Sequence, residues 1–221
     1  TINPYGRDKI EEHKINTLTP RKYGGTLSWL AADGTDEEQT DGIGSSEAIK
    51  MLDQFAISET PFFLAVGFFR PHTPFVAPKK YFDIYDRKKI EIPESSSEYL
   101  ATLPEPAAKS IRAKKNQLNL EKERAQEIKE AYYATISFVD AQLGRILDYL
   151  EVSGLDKNTI VVFTSDHGYH MGEHGHWQKQ TLFENATRIP IIISTPNSEI
   201  KGVKSNSPVE LIDLYPTLMD L

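Results

Sequence analysis

From Glu121 to Val152 the chain carries one amphipathic helical pattern, and what surrounds it leaves few architectures open. Ile128, Tyr132, Ile136, Val139, Leu143, Ile146 or Leu147, and Leu150 recur at steps of three and four, which places them on one helical face. Gly154 is positioned to stop the helix. Asp156, Lys157 and Asn158 then turn the chain into TIVVFTS (159–165), which reads as a strand, and IPIIIST (189–195) reads as another. Upstream, PFFLAVGFF (61–69) predicts a strand buried on both faces. Before it, Ala48, Ile49, Leu52 and Phe55 predict a helix over 46–58, with Ser45 or Ser46 as its cap. The tail PVELIDLYPTLMDL (208–221) is again helical in pattern, limited or kinked at Pro216. Helices alternating with buried strands predict an α/β sheet with helices on its faces.

Two stretches lack such periodicity. Residues 1–44 are rich in Gly, Thr, Asp and Pro, so they read as an irregular N-terminal segment, with DGTDEEQTDG (33–42) as an acidic surface turn. Residues 78–118 mix Pro, Lys and Ser and read as an excursion over the surface. A length of 221 residues suits one α/β domain or two small ones. The net charge of −7 argues against nonspecific nucleic-acid binding, which needs a basic surface. No apolar run reaches the ~20 residues of a membrane-spanning helix. With no cysteine, the chain has no disulfide, thiolate metal site or cysteine nucleophile.

The chemistry-bearing residues concentrate at strand ends. Four of the six histidines fall within IVVFTSDHGYHMGEHGHWQK (160–179). Asp166 and His167 follow directly on the strand, at the carboxyl edge where α/β sheets collect ligands. They are candidate metal ligands, and Gly168 would relieve the turn between them. A strand-end turn with Asp166 capping backbone amides is the competing reading. An all-oxygen site would suggest calcium or magnesium, while the imidazole leans toward zinc or manganese. In GEHGHWQK (172–179), Lys179 is a flexible point charge suited to a phosphate or sulfate oxygen. Tyr169 and His170 would line the mouth of a pocket or simply pack. In RPHTPF (70–75), Pro71 and Pro74 hold His72 on a stiff loop, the preorganisation that a general acid needs. Asp140 would anchor a loop, and Glu184 and Arg188, four apart, read as a structural ion pair.

Taken in order, PFFLAVGFFRPHTPF and the run from YYATISFVDAQLGRILDYL to NATRIPIII resemble the sulfatase branch of the alkaline-phosphatase-like superfamily, in the group around iduronate-2-sulfatase and its bacterial relatives. The resemblance implies that residues 45–221 are part of a three-layer α/β/α catalytic domain. It implies that Asp166 and His167 hold calcium, that His72 and Lys179 contact the sulfate and assist departure of the alcohol oxygen, and that Tyr169 lines the substrate pocket. The substrate it implies is a sulfated sugar, and the location periplasmic, secreted or lysosome-like. It carries no implication for oligomeric state.

The same family uses a formylglycine nucleophile made within a Cys/Ser-x-Pro-x-Arg motif, and these 221 residues hold no such motif. The nucleophile region and a C-terminal subdomain are therefore expected outside this chain, and the chain alone is expected to be inactive. Two rival readings stand beside hydrolysis of a sulfate ester. One is a phosphate or phosphonate esterase of the same superfamily; the other is a non-catalytic domain that binds sulfated glycans.

Overall fold

The computed structural model describes residues 11–19, 27–58, 60–196, 198 and 201–221. The irregular reading of residues 1–10 and 20–26 lies outside these. In chain order the strands are β1 (Asn16–Thr17), β2 (Ser28–Ala32), β3 (Phe75–Pro78), β4 (Val161–Thr164), β5 (His170–Met171), β6 (Trp177–Gln178) and β7 (Ile191–Ser194). The α-helices are α1 (Thr40–Ser58), α2 (Lys79–Phe82), α3 (Ser97–Thr102), α4 (Glu105–Arg112), α5 (Lys122–Ser153), α6 (Glu184–Thr187) and α7 (Leu214–Asp220). The strands form three small sheets rather than one. β2 sits between antiparallel β1 and parallel β3, β4 pairs antiparallel with β7, and β5 with β6.

Helix α5 organises the molecule. It ends where the sequence placed its stop, with Gly154 left-handed at φ 75° and its N–H bonded to the Glu151 carbonyl. Its buried face differs in the middle from the expected one, because Ile136 is exposed while Ala131, Ala134 and Phe138 are buried. Alanines there let the helix approach the β2–β3 sheet closely. Ala125, Ile128, Ala131, Ala134 and Phe138 share a core with Trp29, Phe75 and Ala77 of the sheet and with Met171 and Trp177 of the β5–β6 hairpin. Farther along, Ile146 and Leu150 pack with Ala48 and Leu52 of α1, against the half-buried Phe62, Leu64, Val66 and Phe68.

That segment differs from expectation. Residues 61–69 are extended but unpaired, and each residue alternates between exposed and half-buried. Phe63 is 87% exposed. The run is one-sided, because only α1, α5 and the region of β4 cover it.

The N-terminal boundary also differs. β2 lies within the stretch read as irregular, and α1 begins at Thr40 rather than 46. Ser45 and Ser46 do not cap it; their hydroxyls bond back to the carbonyls of Asp41 and Gly42, both at 3.0 Å. Gly42 is required because a Cβ there would lie 1.7 Å from the Asp36 carbonyl oxygen. Among the described residues no helix is long and apolar enough to cross a membrane.

Candidate functional site

The 70–74 loop is held from α1. The buried Asp41 carboxylate accepts the N–H groups of Phe69 (2.8 Å) and Arg70 (3.0 Å). Arg70 Nε donates to the Val76 carbonyl at 3.0 Å, and the Ser28 N–H donates to Thr73 Oγ1 at 3.2 Å. Far from being a surface turn, the acidic run around residue 41 thus supplies the loop's anchor. His72 is exposed on this frame. Its Nδ1 lies 2.5 Å from the Thr73 carbonyl oxygen, which can only accept, so Nδ1 carries the hydrogen and Nε2 a free lone pair.

At the end of β4 the same logic fixes His167. Its Nδ1–H donates to the Gly168 carbonyl at 2.8 Å, leaving the Nε2 lone pair to accept from Lys179 Nζ at 2.5 Å. Asp166 Oδ2 stands 3.5 Å from that nitrogen, and the carboxylate is 84% exposed. Gly168 serves close packing rather than turn geometry. Its N–H bonds the Ala186 carbonyl at 2.8 Å, and a Cβ there would lie 2.2 Å from the Asn185 carbonyl oxygen. The strand end is thereby clamped to α6.

The structure therefore brings together three of the five sequence candidates: Asp166, His167 and Lys179. No hydrogen bond or ion pair among the described residues joins His72 to them. The two loops meet through rings instead, since Phe75, just after the His72 loop, stands edge-on to Tyr169 with centroids 6.1 Å apart.

Tyr169 itself turns inward. Its ring stacks on Tyr132 at 5.5 Å, and its hydroxyl is buried with no partner among the described residues. Burial holds that hydroxyl well above the usual tyrosine range. His170 packs rather than lining a mouth; it is 0% exposed, with Nε2 2.8 Å from Thr181 Oγ1. His176 is 2% exposed, and its ring stands 5.1 Å from that of His170. Burial pushes both imidazoles down to about 4. Asp140 is exposed, and the Glu184–Arg188 pair, at 3.6 Å, is solvated on both sides and contributes little. A cleft of about 810 Å³ between residues 88–95, the start of α5 and the 172–177 loop contains none of the five candidates.

Asp166 and His167 fit a shared cation. Two ligands of one ion at ~2.4 Å stand about 3.4 Å apart at a right angle, close to the Oδ2–Nε2 separation of 3.5 Å. The Nδ1–H bond to a backbone carbonyl is the outer contact that orients a ligating imidazole. Among the described residues, no three His, Asp or Glu side chains are grouped to hold an ion, so these two are part of a ligand set.

Two residues beyond the sequence candidates belong to this region. Asp41 was hidden by its acidic neighbours. Lys114, in the turn after α4, reaches the side-chain oxygen of Gln178, the residue before Lys179.

Comparison with known proteins agrees with this arrangement. The family model described as Sulfatase matches residues 3–221, and the chain belongs to the sulfatase family. A sulfatase of Formosa agariphila is 42% identical over 165 residues, covering 73% of this chain and 32% of the relative. Human iduronate 2-sulfatase is 30% identical over 218 residues, covering 82% of this chain and 39% of the relative. Among solved structures, the phosphonate monoester hydrolase of Silicibacter pomeroyi superposes with a TM-score of 0.75 at 26% identity, covering 85% of this chain and 38% of that one. The fold is accordingly α/β of the alkaline-phosphatase-like kind. The chain spans well under half the length of these relatives.

Proposed function

We propose that the chain carries part of the active site of a sulfuric ester hydrolase acting on a sulfated sugar. The observation that carries this reading is the contact of Lys179 with His167 beside Asp166, at the end of a strand in a chain of the sulfatase family. Lys179 supplies a positive charge without a carboxylate partner among the described residues, suited to a sulfuryl oxygen or to the departing alkoxide. The His72 Nε2 lone pair, on its stiff loop, is placed to exchange a proton with the leaving oxygen. Tyr169 shapes the pocket wall from beneath through its ring. Asp166 and His167 would hold calcium together with oxygen ligands from outside the described residues. Such an ion supplies positive charge against the sulfuryl oxygens. The nucleophile, a formylglycine in this reading, lies outside these 221 residues. Such a protein would work in a periplasmic, secreted or lysosome-like setting.

In the full-length protein, aryl sulfate is expected to be hydrolysed in preference to aryl phosphate, and Lys179→Met is expected to lower kcat about 100-fold or more. The likeness to a phosphonate monoester hydrolase supports a second reading, esterase action on phosphonates or phosphates. Preferential turnover of an aryl phosphonate would establish that reading instead. Sulfate-ester binding without turnover would leave a glycan-binding domain.

A further inference from the structure

Lys114 stands apart from the other lysines of the chain. It is half-buried, and its ammonium is held by the side-chain oxygen of Gln178. No carboxylate among the described residues lies within ion-pair distance of it or of Lys179. Gln178 is itself buried, with φ 77° and a side-chain nitrogen that finds no partner. Its strand partner His170, and the adjacent His176, each leave one buried ring nitrogen unpartnered. Burial, and then the charge of Lys179, hold the Lys114 ammonium below the usual lysine range. Lys114 also acts on His176, adding to the causes that lower it. A chain of net charge −7 thus keeps two lysines side by side with no anion between them. Two such ammonium groups on adjoining supports match a ligand with two negative groups.

We propose that Lys114 is a specificity residue: its ammonium, steered by Gln178 to a place beside Lys179, takes a second anionic group of the substrate. The substrate class is then a sugar that carries, besides the scissile sulfate, a neighbouring carboxylate or second sulfate. The inference rests on the sulfate-ester reading above. Lys114 makes no bond to the reacting atoms; it sets which sulfated sugar is held.

The test uses the full-length protein and three substrates: glucose 6-sulfate, glucuronic acid 2-sulfate and glucose 3,6-disulfate. Lys114→Met is compared with Lys115→Met, an exposed neighbour that removes the same charge. Lys114→Met is expected to raise KM about tenfold for one or both doubly anionic sugars. It should leave kcat, and the KM for glucose 6-sulfate, within twofold, while Lys115→Met changes nothing beyond twofold. Whichever doubly anionic sugar is affected identifies the second anion as carboxylate or sulfate. Equal losses on all three substrates would make Lys114 a structural residue and overturn the inference, as would no loss on any. If the wild-type protein hydrolyses no sulfate ester, the underlying reading falls and takes this one with it. That outcome differs from a wild-type enzyme that turns over all three sugars with Lys114→Met matching it.

Discussion

Acidification should act on the protein through His170 and His176. Both rings are buried, and burial pushes each from 6.5 down to about 4. The next causes are the charge of His174 for His170, and those of His170 and Lys114 for His176. As pH falls below about 6.5 the unfolded chain binds protons at these sites while the folded chain does not, so folding stability decreases. The loss begins near pH 6.5 and is complete only below pH 4. At pH 5 an unfolded imidazole is ~97% protonated and a folded one ~10%, which corresponds to about 2 kcal/mol for each ring and about 4 kcal/mol for the pair. That is a large share of the ~5–15 kcal/mol that holds a typical domain together.

The assay is urea unfolding at pH 8 and pH 5 of the wild type, of His170→Gln, of His176→Asn and of the double variant. Gln at 170 can still reach Thr181, and Asn at 176 can keep the hydrogen bond to the backbone of Ile111, while neither titrates. The quantity read is the change in stability between the two pH values, so a uniform cost of substitution cancels. Each single variant should lose about 2 kcal/mol less than the wild type between pH 8 and pH 5, and the double variant about 4 kcal/mol less. Equal pH dependence in all four proteins would refute the reasoning and move the acid sensitivity to carboxylates elsewhere.

Two further outcomes follow from the site. Asp41→Ala strips the acceptors from two backbone N–H groups and should cost about 3 kcal/mol, with faster amide exchange at Phe69 and Arg70; a loss under about 1 kcal/mol would show that the loop holds itself. Tyr169→Phe removes a buried hydroxyl that has no partner, so stability should be unchanged or raised by up to about 1 kcal/mol in urea unfolding. An accompanying rise in KM in the full-length protein would mean that the hydroxyl meets substrate after all.

What the sequence made legible was local. Helix α5 and its stop at Gly154 were readable because periodicity and a left-handed cap depend on near neighbours alone. The Asp166–His167 strand end was readable because an apolar run leads straight into it. Asp41 was not, since a carboxylate flanked by Asp36, Glu37 and Glu38 looks solvated until its partners at 69 and 70 are known. Lys114 was obscured in the same way by Lys115 beside it, its contact lying 64 residues away. Gly168 was singled out for the wrong reason, because close approach of α6 is a tertiary fact. Tyr169 illustrates the limit of position: a residue two places past a site residue can face the opposite way.

The extended run 61–69 has a consequence beyond catalysis. Its backbone makes no ladder on either side, and its outer row presents Phe63 and Phe69 to water. Open edges of this kind are templates for whichever strand arrives first, a native neighbour or another molecule. During synthesis this stretch therefore sets a race between correct docking and clumping. The tight grip of Asp41 at its far end lets the segment wait in register rather than collapse.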